Sequence, residues 1–178
     1  MRRLAFLLLS IFGSCAARAE TASLEQSVKA VYLFKIPSFV TWPAQAFDSP
    51  DGPFTLCIVG PDPFGELIDR TVSGQHFDRH PIVVLRLAAA QAEAHCQMVY
   101  VASADSRLIH EALEAARNKP VLTVTDAADE TDGQGMINFV KIDDHIRFTI
   151  DAGEAAKEGI GISSKLLSLA VSVRGRAR

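Results

Sequence analysis

Short apolar runs alternate with helical segments through the middle of this chain of 178 residues, and that alternation constrains the fold more than any other feature. Strands are predicted at residues 54–59, 81–87, 97–102 and 121–125. Helices are predicted between them, one from Phe64 to about Thr71 with Asp62 as its N-cap, and a longer one over residues 105–118. Strands that are apolar on both sides and alternate with helices form a parallel sheet covered on both faces.

The pattern changes after residue 135, where strands follow one another directly. Residues 136–141 and 145–150 flank the turn residues Asp143-Asp144, so they predict an antiparallel hairpin. A short helix is predicted over residues 151–158, and a final helix from residue 163 to about residue 173.

Together these elements predict an α/β fold in a single domain over residues 20–178. It is a three-layer sandwich, with a mostly parallel sheet, helices on both faces and the added antiparallel hairpin. A helix precedes the first strand, because Ser23-Leu24-Glu25-Gln26 is a capping box and Val28, Val31 and Tyr32 follow at helical spacing. No internal repeat or low-complexity linker divides the chain.

Residues 1–19 have the three parts of a secretory signal peptide. These parts are the basic Arg2 and Arg3, the apolar residues 4–12, and the small-x-small end Ala17-Arg18-Ala19. We expect cleavage after Ala19 and export of the mature chain. An apolar run of about ten residues is too short to cross a bilayer, so we expect no direct membrane insertion. Cys15 leaves lipidation open as an alternative, although the leucine that is usual three residues upstream of such a cysteine is missing.

Removal of residues 1–19 leaves two cysteines, Cys57 and Cys96. An even pair in an oxidising compartment favours a disulfide, which here closes a loop of about forty residues. The alternative is two buried free thiols. A thioredoxin-type redox centre is not expected, because the chain lacks a Cys-x-x-Cys motif.

Charge argues against nucleic-acid binding. The full chain has 18 Lys and Arg against 21 Asp and Glu, and loss of three arginines with the signal peptide leaves 15 basic residues and a formal net charge of −6. An acidic exported domain has no electrostatic reason to bind a polyanion. Arg174, Arg176 and Arg178 follow the predicted final helix, where they either complement its dipole or contact an anion or a partner.

Catalytic and metal-binding signatures are missing from the sequence. There is no Gly-x-Ser-x-Gly elbow, no Gly-x-Gly-x-x-Gly loop and no phosphate-binding loop. The five histidines are scattered without the short spacings of a zinc site. We therefore expect a protein that is not an enzyme and that holds no metal and no cofactor.

Residues 34–42 are dense in aromatic side chains and lie beside prolines. Such aromatics either cap the core at a sheet edge or form a docking surface, since aromatics are enriched at the centres of interfaces. The candidates for partner binding are Phe34, Lys35, Ile36, Phe39 and Trp42. Of the two interpretations, the core fits Trp42 better and a surface fits part of residues 34–38 better.

A second group of candidates concerns an anion or a small ligand. Ser163 and Ser164 begin a predicted helix, and the free N–H groups there either bind an anion or are capped in the ordinary way. The candidate ligand-binding residues are Ser163, Ser164, Lys165, Arg147 and Arg174. Because open α/β sheets have a crevice at the carboxyl ends of their strands, a periplasmic small-ligand binding module is the alternative function.

Several short segments follow one another in a specific order along the chain. They are VKAVYLFK at residues 28–35, FVTWP at 39–43, CIVG at 57–60, DPFG at 62–65, VLTV at 121–124, GMINFV at 135–140, Arg147-Phe148, and GISSKLL at 161–167. In this order they resemble the YfiR-like family of bacterial periplasmic proteins. The sequence departs from the family's pattern at Gln134, where glycine is common, and at Asp151, where asparagine often follows the last strand.

The resemblance implies a non-enzymatic periplasmic regulator. Such proteins repress an inner-membrane diguanylate cyclase by binding its periplasmic sensor domain, and they link envelope redox state to cyclic-di-GMP and biofilm formation. The implied partner is therefore the periplasmic domain of an inner-membrane diguanylate cyclase. A regulator that binds only one state of its partner shifts the partner's population by its differential affinity. The oligomeric state stays open, a homodimer included.

Overall fold

A computed structural model describes residues 13–89, 95–103, 105–126 and 133–175, with side chains described from Leu24 onward. Residues 1–12 of the predicted signal peptide lie outside the described residues, and cleavage after Ala19 stays a prediction. Arg176 and Arg178 also lie outside them. Within the described ranges, no helix has the length and apolar character that crossing a membrane requires.

The described residues form helices, strands and two short 3₁₀ turns. The helices are α1 Gly13–Lys35, α2 Glu66–Val72, α3 Ser106–Ala116, α4 Ala152–Lys157 and α5 Ser164–Leu169. The strands are β1 Val40–Thr41, β2 Phe54–Val59, β3 His76–Phe77, β4 His80–Leu87, β5 Met98–Val101, β6 Leu122–Thr125, β7 Ile137–Ile142, β8 His145–Asp151, β9 Gly161–Ile162 and β10 Ser172–Arg174. The 3₁₀ turns are Ile36–Phe39 and Ala44–Ala46.

The main sheet has the strand order β10-β8-β7-β6-β5-β2-β4-β3. Neighbouring strands from β4 to β7 run parallel, and β10 runs parallel to β8. The β7–β8 hairpin and the β3–β4 edge are antiparallel. This arrangement confirms the prediction of an α/β domain with a mostly parallel sheet and an added antiparallel hairpin. A separate two-stranded sheet, which the sequence did not predict, pairs β1 with β9.

Helices cover both faces of the main sheet. On one face, α1 and α2 pack over a core that includes Phe54, Tyr100 and Phe139. On the other face, α3 packs through Ile109 and Ala112 onto the inner strands. Burial of these apolar side chains is the main favourable contribution to folding.

On the face of the sheet where α3 packs, part of the strand β4 is left uncovered. The strand register places Leu85 beside Cys57, so both side chains lie on the α3 face. Cys57 is fully buried, whereas Val83 and Leu85 are about 40% exposed. These two side chains form a small apolar surface that is separate from the α1 side of the molecule.

The C-terminal part corrects the prediction of a final helix over residues 163–173. The helix α5 ends at Leu169, and residues Ser172–Arg174 form the strand β10. The backbone N–H of Val171 donates to the carbonyl oxygen of Phe148 at 3.0 Å, so pairing with β8 takes the backbone groups that a longer helix would use. Arg174 therefore lies in a strand, and its predicted place at a helix end is wrong.

Two helix beginnings also differ from the prediction. α1 already runs through Ser23, so the capping box there does not start the helix. α2 begins at Glu66 rather than Phe64, because Gly65 adopts a φ of 51° that does not continue a helix. The carboxylate of Asp62 accepts a hydrogen bond from the Phe64 N–H at 2.7 Å, which closes a local turn before the helix.

Candidate functional site

The helix α1 has one buried face and one exposed apolar face. Ala30 and Leu33 are at most 1% exposed and pack into the core, as does Ile36 in the 3₁₀ turn that follows. By contrast, Leu24 is 66% and Val31 50% exposed. Exposed large apolar side chains on neighbouring turns of a helix mark a surface that is suited to contact with another molecule.

Residues on the exposed face of α1 are spaced as they are where two helices pack side by side. Leu24, Val28, Val31 and Lys35 are separated by four, three and four residues, which is the a/d pattern of a heptad repeat. We call these four residues the α1 stripe. Since Leu24 and Val31 are half or more exposed, no element in the described part of the chain covers the stripe.

A groove of about 360 Å³ lies between α1 and the β7–β8 hairpin. Val28, Tyr32 and Ile146 give it an apolar lining. The Tyr32 ring is fixed there by Phe148, whose ring centre lies 5.6 Å away in an edge-to-face arrangement. The exposed side chain of Val171 lies beside β8, because the Val171 N–H donates a hydrogen bond to the carbonyl oxygen of Phe148 in that strand.

The charges around this surface divide into paired and unpaired groups. Glu25 and Asp144, which line the groove, both form ion pairs with Lys141 at 3.8 and 3.3 Å. Arg147 also lines the groove, and among the described residues it forms no ion pair. The ammonium of Lys35, at the end of the stripe, lies 4.4 Å from the centre of the Phe34 ring, and it forms no ion pair within the described part of the chain. Lys35 and Arg147 are therefore cations at this surface that pair with no carboxylate of the described residues.

The buried side of α1 carries a lysine. Lys29 is 3% exposed, and its ammonium forms ion pairs with Glu25 and, at 2.6 Å, with Asp126 directly after β6. Burial lowers the pKa of Lys29, but hydrogen bonds to the two carboxylates outweigh it, so the pKa is raised overall above 10.5. The Tyr100 hydroxyl donates to Asp126 at 3.3 Å, and burial raises the pKa of Tyr100 well above its ordinary range. This network joins α1 to the carboxyl ends of the central strands.

The predicted docking residues in segment 34–42 separate into buried and accessible ones. Ile36 lies in the core and is not part of a surface in this structure. Lys35 is exposed, while Phe34 and Phe39 are partly buried against the core. Trp42 is 7% exposed, as the core interpretation predicted. Lys35 and the outer parts of Phe34 and Phe39 are therefore the accessible members of the group.

Trp42 is fixed by packing and by a hydrogen bond. Its indole N–H donates to the carbonyl oxygen of Gln97 at 3.0 Å, and its ring meets Phe54 and Phe77 edge to face. A cavity of about 570 Å³ adjoins it, with Phe47 and His80 among its walls. The Phe47 and His80 rings stack with their centres 3.9 Å apart. This aromatic-walled cavity has the size of a small-ligand site.

The predicted anion-binding residues do not meet in one place. Ser163 caps α5 in the ordinary way, since its hydroxyl accepts from the Leu166 N–H at 3.3 Å. Lys165 is exposed on α5, which packs against the 3₁₀ turn after α1. Arg147 lies in the hairpin, and Arg174 lies 3.5 Å from the Asp151 carboxylate at the other end of β8. Ser164 is exposed at the start of α5.

The disulfide between Cys57 and Cys96 is present, with the two Cα atoms 5.8 Å apart. The bond ties β2 to the residue that leads into β5, on the face covered by α3. Cys57 is 0% and Cys96 8% exposed, so solvent has little access to the sulfur atoms. In the described residues, no group of three or more His, Cys, Asp or Glu side chains is arranged to hold a metal ion.

Sequence reasoning missed the exposed face of α1. The sequence predicts one helical face with Val28, Val31 and Tyr32, but Val31 is 50% exposed and the core face is shifted toward Ala30 and Leu33. The intervals of four, three and four residues in the α1 stripe were a signal that could have separated the two faces. The burial of Lys29 had no such signal, because lysine is almost never fully buried unless it is paired.

Comparison with models of protein families identifies a relationship for most of the chain. The model of the family described as YfiR/HmsC-like matches residues 26–171, which include α1 from its second half and every strand up to β9. No curated protein matches the chain.

Proposed function

Because the chain belongs to the YfiR/HmsC-like family, we propose that it represses an inner-membrane diguanylate cyclase by binding the periplasmic sensor domain of that cyclase. The YfiR-like family consists of periplasmic regulators of diguanylate cyclase signalling, and it is regulatory rather than catalytic. The family match over residues 26–171 is the observation that carries the proposal.

The surface of the described residues supports a function that depends on binding another protein. Leu24, Val28 and Val31 of the α1 stripe are apolar and lie beside an accessible groove, and the stripe residue Lys35 and the groove residue Arg147 form no ion pair among the described residues. Binding to one conformation of the cyclase lowers its activity by shifting the population toward that conformation. No catalytic residue is needed for this, in agreement with the lack of catalytic motifs in the sequence.

Envelope redox state acts, in this proposal, on the amount of folded repressor. The sulfur atoms of Cys57 and Cys96 are buried, so oxidation accompanies folding and is not a surface reaction of the folded protein. A periplasm that fails to form the bond then holds less active repressor, and cyclic-di-GMP rises.

Deletion of the gene tests the proposal. Cellular cyclic-di-GMP and surface attachment should rise in the deletion strain, and both should return to the starting level when the partner cyclase is also deleted. A version without residues 1–19 should fail to complement, because it stays in the cytoplasm. Unchanged cyclic-di-GMP in a deletion strain whose parent makes the protein would reject the repressor function.

A small-ligand binding module is the second candidate function, and the aromatic-walled cavity beside Trp42 favours it. A ligand in this cavity should raise the thermal unfolding temperature of the purified protein, since binding to the folded state stabilises it. Screening aromatic metabolites by thermal shift, with a His80→Ala variant as control, measures this directly. Equal shifts in both proteins would argue against the cavity as the site.

A further inference from the structure

The α1 stripe has an apolar pattern that fits a helix better than a strand or a loop. Intervals of four and three residues place Leu24, Val28 and Val31 in one line along α1, and Lys35 follows four residues later. The groove beside them continues this line toward the hairpin. Where two helices pair, each presents apolar residues at such a and d intervals, so an amphipathic partner helix fits the exposed line on α1.

The unpaired charges at this surface indicate which charge a binding partner would carry. Lys35 at the end of the stripe and Arg147 in the groove form no ion pair among the described residues, whereas Glu25 and Asp144 both pair with Lys141. Unpaired cations at the border of an apolar surface favour a partner with acidic side chains flanking its apolar face.

Two other occupants fit the charges less well. A second copy of this chain would present the same unpaired cations and the same paired carboxylates. The C-terminal residues 176–178 carry Arg176 and Arg178, so they add positive charge. Neither supplies the acidic groups that the surface lacks.

We propose that the α1 stripe and the groove beside the hairpin bind an acidic amphipathic helix of the partner protein. The apolar face of that helix covers Leu24, Val28 and Val31, and its flanking carboxylates pair with Lys35 and Arg147. This proposal rests on the proposed repressor function for the identity of the partner, but the surface itself can be tested without the cyclase.

Two synthetic helical peptides of equal length serve as probes. Both carry leucine at the a and d positions, and they differ only in having glutamate or lysine at the flanking positions. Fluorescence anisotropy measures their binding to the protein purified from the periplasm. We expect the glutamate peptide to bind at least tenfold more tightly, and we expect added salt to reduce the difference, since salt screens exposed charges. Equal binding of the two peptides would overturn the charge selection.

Substitutions locate the binding surface. Leu24→Glu and Val31→Glu should each weaken binding of the glutamate peptide at least tenfold, because they put like charge on the stripe. Leu85→Glu is the matched control, as Leu85 is similarly apolar and about 40% exposed but lies on the α3 face. Thermal unfolding of each variant shows whether it is folded. Binding that Leu24→Glu and Val31→Glu leave intact, or that Leu85→Glu weakens as much, would overturn the location.

The same variants separate this inference from the repressor function. In the deletion strain, Leu24→Glu and Val31→Glu should fail to lower cyclic-di-GMP, while Leu85→Glu should lower it as the unchanged protein does. Full complementation by the two stripe variants contradicts the inference and leaves the repressor function standing. If deletion leaves cyclic-di-GMP unchanged while the peptides discriminate as expected, the repressor function fails and the helix-binding surface stands.

Discussion

The ammonium of Lys29 lies 2.6 Å from the carboxylate of Asp126, joining residues that are 97 positions apart in the sequence. Lys29 is buried, while Asp126 keeps about a third of its side chain in solvent. The ion pair holds α1 against the carboxyl end of β6, and α1 carries the surface proposed for docking. Its position thus depends on a charge that would be costly to bury without a partner.

Asp126→Asn should destabilise the fold by about 1 to 3 kcal/mol, because it leaves a buried ammonium with Glu25 as its remaining carboxylate. Lys29→Met should cost less, since it removes the buried charge and leaves carboxylates that water still reaches. The double variant should be more stable than the sum of the single losses predicts. Urea unfolding of the three variants measures this, and strictly additive losses would contradict the coupling.

Stability at alkaline pH should depend on Lys29. The pKa of Lys29 is raised above the ordinary value of 10.5 in the folded chain. Its contribution to the free energy of unfolding is therefore full at lower pH and is lost as the pH rises through the pKa of the folded state. The stability advantage of the unchanged protein over Lys29→Met should therefore shrink above about pH 10.5. Tyr100, whose pKa is also raised by burial, loses its contribution to stability in the same direction and shares Asp126 with Lys29, so both proteins are compared in a Tyr100→Phe background. A constant difference from pH 8 to pH 11 would show that Lys29 does not act in this way.

The central strands could be predicted because their local pattern agrees with their place in the fold. Residues 54–59 are predominantly apolar and become a strand buried on both faces, with the bounds that the sequence predicted. The end of the chain could not be predicted in the same way. Apolar residues such as Leu166, Leu167 and Leu169 suit a helix, but whether the helix continues depends on whether β8 has a free edge, which is a property of the tertiary fold.

The candidate site was predictable only in part. The accessible cations Lys35, Arg147 and Lys165 were all among the predicted residues, but in two separate groups. The sequence assigned Arg147 and Lys165 to an anion site and Lys35 to a docking surface. Side-chain exposure distinguishes Ile36 from Lys35, and it depends on how α1 rotates against the sheet, which neighbouring residues alone do not determine.

Trp42→Ala should lower the free energy of unfolding by about 3 to 5 kcal/mol, as loss of a large core side chain does. The indole is buried, packs on Phe54 and Phe77, and donates a hydrogen bond to Gln97. Trp42→Phe is the matched control, because it keeps a ring and removes the N–H donor; it should cost clearly less. Chemical denaturation measures both variants. A loss below about 1 kcal/mol for Trp42→Ala would contradict the core placement.

Gly175 should tolerate no side chain. A Cβ there would overlap the backbone of Gly153 at the start of α4, and its φ of +67° is in the left-handed region. Gly74 is the matched control, with a φ of +68° and open space around it. Both Gly→Ala variants should lose about 1 kcal/mol from backbone strain, and Gly175→Ala should lose more because β10 must move away from α4. Hydrogen exchange of the β10 amides measures that movement, and equal losses in the two variants would argue against the overlap.

Loss of the disulfide should cost about 2 to 5 kcal/mol, the range found when small exported domains lose a native bond. Cys57→Ala, Cys96→Ala and the double variant should lose similar amounts, because either substitution already removes the whole cross-link. Since Cys57 is 0% and Cys96 8% exposed, reductant should reach the bond only when the protein opens. The rate of thiol release from native protein in dithiothreitol should therefore rise with urea as the unfolding rate does. Fast, urea-independent reduction of the folded protein would show that the bond is accessible, and would make it a direct redox switch instead of a structural link.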